Sequence, residues 1–485
     1  MPIKIALPKG HLLNKTAALL QMAGWGLEGY HEKARFYRLK SQKFPDISAK
    51  IFHERDIPIQ VAIGNYDLGI CGLDWIEELL VKYPSSTLVK VKNLEYGQSS
   101  LFMFMVKSIT QAVMGRLVRR SQWDSVLAEL KVKPGIIRIA SEYPNLAESF
   151  ALKNRLRRFS IFPVWGGAEV YPPENAELAL IRSQTEEVLD TYGMAAVDRV
   201  LDFNAFLIAN QRSWESKHLA QVVTSICDNS DQLPADEGSG NEAVGTKEKS
   251  RRYPEAADGI VRLALPDGHQ QTPMLNLLNK AGIKVDDYPS TVGNRRPTIN
   301  LEGVAVKVIR PQDMPLQVAN GNFDLAITGR DWLMEHLYQF PSSPAKELLD
   351  LKLGRVKIVA VVSQTLPATD VSSLRQLIGG WSEPFRVASE YTNIADKYAR
   401  DNHLGHYRVI PTWGATEAFL PEDADLLIEN TQTGQTIARH NLKIIETLFE
   451  STACLIGNIR MKYGSAKGQK VKSIIEMLRA AVEDI

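Results

Sequence analysis

The residues whose types and spacing could do chemistry are concentrated between Leu426 and Thr436, which read LLIENTQTGQT. An apolar run ends in the carboxylate of Glu429 and passes into hydroxyls and amides around a single glycine: Thr431, Gln432, Thr433, Gly434, Gln435 and Thr436. A helical pattern resumes at Ile437. A buried strand that delivers a carboxylate at its end, followed by a turn with exposed backbone N–H groups and a helix N-terminus, suits an anion. A phosphate is the natural guest, with Glu429 placed to accept hydrogen bonds from neighbouring hydroxyls such as those of a ribose. The plain alternative is a strand, a Thr-rich turn and a helix cap.

Other candidates are cationic. The stretch Asp324-Leu325-Ala326-Ile327-Thr328-Gly329-Arg330-Asp331 reads as a buried strand that breaks into a turn, offering the Thr328 hydroxyl and the Arg330 guanidinium to a phosphate. Read as structure only, it is a strand-to-helix turn with Asp331 as the cap. Arg310 follows another strand, and its guanidinium matches phosphate geometry without losing its charge; nearby Asp313 reads as a helix cap, and Trp413 as a core anchor. Lys9 closes the first strand beside Gly10 and His11. No HExxH, GxSxG or Cys/His pattern argues for a protein-bound metal or for nucleophilic catalysis.

These segments belong to a unit written twice. Ile5-Ala6-Leu7-Pro8-Lys9-Gly10-His11 returns as Leu263-Ala264-Leu265-Pro266-Asp267-Gly268-His269 at an offset of 258. Asp56-Ile57-Pro58 returns as Asp313-Met314-Pro315 at 257, and Ser141-Glu142-Tyr143 returns as Ser389-Glu390-Tyr391 at 248. Pro163-Val164-Trp165-Gly166 likewise matches Pro411-Thr412-Trp413-Gly414. Constant order with a slowly drifting offset marks a tandem duplication. We divide the chain into copy 1 (1–228), a polar flexible linker (229–257) and copy 2 (258–485).

Within each copy short apolar runs alternate with helical patterns: strand at Ile3–Ala6, helix at Leu12–Ala23, strand at Ile51–Phe52, helix at Asp56–Ile63, strand at Asp67–Cys71. That rhythm predicts α/β lobes with mostly parallel sheets. Runs at Leu101–Val106 and Val356–Val362 open a second lobe in each copy, so a cleft lined by strand ends is expected. The balance of 57 basic and 56 acidic residues offers no case for nucleic acid or an anionic membrane. Three scattered cysteines and an N-terminus without an apolar signal core predict a reducing, cytoplasmic setting.

Taken in order, ALPKG, RPxDxP, GxxDLAITGxD, the SEYxN turn, the WGAxE turn and ENTQTGQT resemble ATP phosphoribosyltransferase, the first enzyme of histidine biosynthesis. The resemblance covers nearly all of both copies, and each copy has the size of the family's short form. It implies an α/β chain of two tandem copies of a two-lobed, periplasmic-binding-protein-like fold. It implies transfer of phosphoribose from phosphoribosyl pyrophosphate to N1 of ATP, with Mg²⁺ held by substrate phosphates and pyrophosphate leaving. Carried onto this chain, Glu429 takes the ribose hydroxyls and Thr431 to Thr436 the 5′-phosphate. Glu429 and Arg310 become the catalytic candidates, while Arg310, Arg330 and Thr328 become candidates for ATP or pyrophosphate.

Copy 1 departs from this pattern. Ile181 stands for Glu429, Glu186 for Gly434, and Val188 for Thr436, so the carboxylates of Glu186 and Glu187 occupy the phosphate's place. Copy 1 therefore reads as a degenerate partner completing a fused pseudo-dimer. Conversely Asp267 replaces Lys9, which raises the expectation that Lys9 and Arg38 of copy 1 serve the copy 2 cleft. The competing readings are a regulatory protein that binds a phosphoribosyl ligand without turnover, and a solute receptor of the same architecture. A separate regulatory subunit is compatible with all of this.

Overall fold

The computed structural model describes residues 2–31, 37–106, 130, 135–185, 193–230, 259–291, 293–414, 416–460 and 465–483. The chain forms two compact units whose bounds differ slightly from the sequence copies. Unit 1 comprises Met1–Pro163, Tyr171–Ser250 and Trp413–Ala418; unit 2 comprises Val164–Val170, Arg251–Thr412 and Phe419–Ile485. Most of the expected linker lies outside the described residues, and its first two positions instead close the helix Ala220–Ser230.

In unit 1 the strands are β1 (Ile3–Lys9), β2 (Arg38–Lys40), β3 (Ile47–His53), β4 (Leu68–Gly72), β5 (Leu88–Asn93), β6 (Ser99–Val106), β7 (Ile137–Ser141), β8 (Phe159–Pro163), β9 (Leu178–Ser183), β10 (Met194–Phe203) and β11 (Ala205–Asn210). They form two sheets, ordered β2-β3-β1-β4-β11-β5 and β10-β6-β9-β7-β8. In unit 2 they are β12 (Val261–Pro266), β13 (Val285–Asp286), β14 (Thr298–Ile299), β15 (Val304–Ile309), β16 (Leu325–Gly329), β17 (Ala345–Asp350), β18 (Val356–Ser363), β19 (Phe385–Ser389), β20 (Tyr407–Pro411), β21 (Leu426–Thr431), β22 (Leu442–Ser451) and β23 (Ala453–Asn458). Their main sheets are β15-β12-β16-β23-β17 and β20-β19-β21-β18-β22. Each unit therefore has two α/β lobes, as the alternation of apolar runs and helical patterns implies.

The sheets are mixed rather than mostly parallel. Parallel pairing holds for β1 with β3 and β4, and for β19 with β20 and β21. The chain visits the second lobe after β5 or β17 and returns through β11 or β23, which pair antiparallel with β4 and β16. Those return strands have no apolar-polar alternation to distinguish their direction, so the sequence pattern could not reveal it. Each lobe has its own core. The long helix Ala466–Glu483 seals one of them with Val471, Ile474, Leu478, Ala481 and Val482, a three-and-four spacing that lays one apolar stripe on the sheet.

A carboxylate joins the lobes in each unit. Glu335, on the helix Arg330–Gln339, accepts hydrogen bonds from the backbone N–H groups of Asn393 and Ile394 at 2.8 and 2.9 Å, capping the helix Thr392–Asp401 of the other lobe. Glu78 does the same for Asn145 and Leu146, both at 2.9 Å. Burial raises both carboxyls despite those donors, that of Glu78 to about 7. Because the folded value exceeds the unfolded one, Glu78's contribution is fully present below about pH 4.5 and is lost as pH rises through about 7. Glu78→Gln should flatten this part of the stability profile, removing a slope worth on the order of 3 kcal/mol. Denaturant unfolding of the full chain at a series of pH values between those limits measures it, and an unchanged slope contradicts the assignment.

Candidate functional site

The Glu429 loop lies at the end of β21 in unit 2. Leu426, Leu427 and Ile428 are buried in the sheet, Glu429 is half-buried, and Gln432, Thr433, Gln435 and Thr436 are exposed. Gly434 has φ +74°, a left-handed conformation that a residue with Cβ adopts only with strain. The Thr431 hydroxyl accepts from Gly434 N at 2.9 Å and so shapes the turn. The helix that follows, Gln435–Arg439, starts earlier than the apolar pattern suggests and is only five residues long. Its dipole is correspondingly small, so the loop's N–H groups and hydroxyls are the main anion donors.

Glu429 is held by its surroundings. One carboxylate oxygen accepts from Asn430 N at 2.9 Å. The Asn430 side-chain amide donates to Tyr391 Oη at 3.1 Å, and Tyr391 donates to the buried Asp331 carboxylate at 2.6 Å. Ser451 Oγ donates to the other Asp331 oxygen at 2.8 Å and accepts from Asp331 N at 2.9 Å. Trp332 packs on the Tyr391 ring with centroids 4.4 Å apart. Burial first, then the Asp331 and Glu429 charges, raises the Tyr391 phenol well above its ordinary value, so it stays a hydrogen-bond donor. Asp331 is therefore a buried acceptor inside the first helical turn rather than the cap; Gly329 occupies the cap position. A Cβ on Gly329 would collide with the Asp331 carboxylate, which accounts for a glycine at this strand end.

The other predicted residues divide. Pro266 pairs in register with Ile309, so Asp267 and Arg310 follow on adjacent parallel strands, and their side chains meet at 3.3 Å. Arg295 also reaches Asp267, at 2.9 Å. Partial burial alone would raise the Asp267 carboxyl, but Arg295 and Arg310 outweigh it and hold it below the ordinary value. Arg310 remains about 41% exposed at a strand end and keeps its place as a candidate. Thr328 and Arg330 do not. Thr328 is fully buried and donates to Pro311 O at 2.8 Å. Arg330 is engaged by Glu347 at 2.7 Å and Asp350 at 3.2 Å, carboxylates its own sequence neighbourhood does not contain.

Three further expectations change. Asp313 stands before a helix but makes no side-chain cap; its carboxylate accepts Trp165 N at 3.1 and 3.2 Å inside unit 2. Trp413 is not a core anchor of copy 2: it lies in unit 1, half-buried, with the Arg55 guanidinium 4.1 Å from its ring centroid. Arg38 lies in unit 1 on β2, exposed and in register with Lys50, and Lys9 is in unit 1 as well. In copy 1 the positions 186–192 lie outside the described residues, so the Glu186 and Glu187 expectation rests on sequence alone.

Sequence reasoning missed the roles of Asp331, Tyr391 and Asn430. The signal was available for two of them, since Gly-x-Asp and Ser-Glu-Tyr recur in both copies. In copy 1 Tyr143 donates to Asp74 at 2.7 Å, but Phe203 stands where Ser451 does, and Asp74 Oδ1 is buried without a hydrogen bond.

The family model described as ATP phosphoribosyltransferase matches residues 53–228 and again 310–480. The chain belongs to the ATP phosphoribosyltransferase family. The family match occurs twice, once in each copy. An ATP phosphoribosyltransferase of Saccharolobus solfataricus is 33% identical over 234 residues, covering 46% of this chain and 72% of that protein. One from Chlorobaculum parvum is 30% identical over 233 residues, covering 47% and 73%. Among solved structures, the ATP phosphoribosyl transferase (HisG:HisZ) complex from Thermotoga maritima aligns at 22% identity and a TM-score of 0.38, covering 47% of this chain and all of that one.

Tyr391→Phe tests the support under Glu429. Loss of a buried hydrogen bond to a carboxylate should cost about 2 kcal/mol of stability. It should also loosen the Glu429 loop by freeing Asn430 and so weaken several-fold any anion that the loop holds, while Ser363→Ala, a change elsewhere on β18, should not. Calorimetric titration and denaturant unfolding read the two effects separately.

Proposed function

We propose that copy 2 transfers phosphoribose from phosphoribosyl pyrophosphate to N1 of ATP and releases pyrophosphate, the first step of histidine biosynthesis. The observation that carries this reading is the exposed Thr431–Thr436 turn at the end of β21, with Gly434 left-handed and Glu429 beside it, inside the second family match. In the reaction the N1 lone pair forms a bond to the anomeric carbon while the carbon–oxygen bond to pyrophosphate breaks, its electron pair leaving with the pyrophosphate. Positive charge gathers on the ribose ring in between, so alignment and charge neutralisation matter more than a nucleophilic side chain.

In this proposal the turn N–H groups and hydroxyls hold the 5′-phosphate. Glu429 accepts from the ribose hydroxyls and lies close enough to favour the developing ring charge. Arg310 exchanges part of its contact with Asp267 for the departing pyrophosphate, a step that its partial exposure permits. Mg²⁺ neutralises phosphate charge when bound. The donor set around the turn, hydroxyls and N–H groups with the single carboxylate of Glu429, suits a metal–phosphate complex whose ion is held by substrate oxygens.

Copy 1, with Ile181 in place of Glu429, is assigned no transfer activity. Purified full-length chain supplied with ATP, phosphoribosyl pyrophosphate and Mg²⁺ should form phosphoribosyl-ATP, and absence of product would favour a ligand-binding regulatory protein. Glu429→Ala should lower kcat by about 10²-fold or more with modest change in KM. Gly434→Glu should abolish donor binding through strain and like-charge repulsion. Calorimetry should count one donor per chain; two equivalent sites would overturn the division of labour between copies.

A further inference from the structure

A short stretch of the copy 1 sequence, Val164–Val170, belongs to unit 2, and the matching stretch of copy 2, Trp413–Ala418, belongs to unit 1. The first of these is anchored at both ends. The buried Asp313 carboxylate accepts Trp165 N at 3.1 and 3.2 Å. Val170 O accepts from Lys307 Nζ at 3.0 Å and from Arg296 Nη2 at 2.9 Å, and Glu169 lies 3.5 Å from Arg295. Lys307 is itself buried, so the segment satisfies a cation that has little access to water.

Between these anchors the Trp165 ring packs on Trp332, with centroids 5.6 Å apart, and Trp332 packs on Tyr391 at 4.4 Å. A series of aromatic rings therefore runs from this segment to the tyrosine whose hydroxyl donates to Asp331 and accepts from Asn430. Asn430 follows Glu429 directly, and the turn with its exposed hydroxyls comes next. A phenol that must meet two partners at once needs its ring held as well as its oxygen, and aromatic packing supplies that hold. Trp332 is half-buried and divides its ring contacts between Tyr391 and Trp165, so removing Trp165 would leave it room to tilt.

Unit 1 has the same parts arranged otherwise. Trp75 stacks on Tyr143 at 4.3 Å, but the Arg55 guanidinium lies 5.1 Å from the Trp75 ring and 4.1 Å from that of Trp413. Unit 2 has Gln312 at that position and brings its two tryptophans into direct contact. Beyond Tyr143, moreover, Arg182 stands where Asn430 would be. Ring packing that leads on to a loop is thus a property of unit 2.

We infer that Trp165, although written in copy 1, is a positioning residue for the Glu429 loop of copy 2, acting through Trp332 and Tyr391. The degenerate copy thereby has a use that needs no ligand of its own. It supplies a ring that copy 2 does not provide for itself, since Trp413 belongs to unit 1. The consequence for turnover rests on the activity proposed for copy 2; the consequence for the loop does not.

The test compares the full chain with its Trp165→Leu, Trp165→Phe and Trp413→Leu variants, by amide hydrogen exchange without ligand and by kinetics with both substrates. Trp165→Leu should speed exchange of the peptide from Glu429 to Gln435 by about threefold or more. It should also raise KM for phosphoribosyl pyrophosphate several-fold and leave KM for ATP unchanged. Trp165→Phe, which keeps a ring on Trp332, should restore most of both, and Trp413→Leu should alter neither. Should the leucine variant not fold, Asp313→Ala, which frees the Trp165 backbone and keeps every ring, must give the same faster exchange. Unchanged loop exchange in a folded variant, or equal acceleration by Trp413→Leu, overturns the inference. Absence of phosphoribosyl-ATP from the parent chain would overturn the proposed activity instead, and loop exchange would still decide the role of Trp165.

Discussion

The arrangement of the copy 2 cleft depends on one buried hydrogen bond, from Tyr391 to Asp331. A carboxylate with almost no exposure is tolerable only when its oxygens are satisfied, and here Tyr391 and Ser451 take one oxygen each. Satisfying it joins three places: the start of a helix in one lobe, the Ser-Glu-Tyr turn in the other, and the chain crossing between β22 and β23. Asn430 hangs the Glu429 strand end on the same tyrosine. The residue that would touch substrate is thereby positioned by residues that would not.

Copy 1 shows what happens when that demand is relaxed. Tyr143 still bonds Asp74, but with Phe203 in place of serine one oxygen is orphaned, and burial raises the Asp74 carboxyl, with Arg182 opposing. Arg182, standing where Asn430 does, supplies charge to the region, where Asn430 gives a hydrogen bond to Tyr391. The same substitution that removes loop support also places a guanidinium in the cleft.

The interlobe carboxylates Glu78 and Glu335 are common to both units, which separates framework from function. Each caps two backbone donors of a helix in the opposite lobe, so each opposes lobe separation whatever ligand is present. The lobe angle is under a constraint that both copies keep, while the ligand-facing positions have diverged.

Much of this was legible from the chain alone. Repetition at drifting offsets gives the duplication, apolar runs give the strand ends, and Glu429 with Gly434 against Ile181 with Glu186 gives the asymmetry of the copies, because each depends on local residue type and spacing. Tertiary structure decided everything that depends on a partner distant in sequence. Arg330 looks free beside Thr328 and Gly329 until Glu347 is folded against it, and Asp331 reads as a cap until Tyr391 arrives from 60 residues away. Likewise Lys9 could be assigned anywhere until His53 was brought into register with it and the Tyr37 ring beside its ammonium. A charge declares its type in the sequence, but whether it is spent on the protein or left for a ligand is settled only by the groups that folding places within about 4 Å of it.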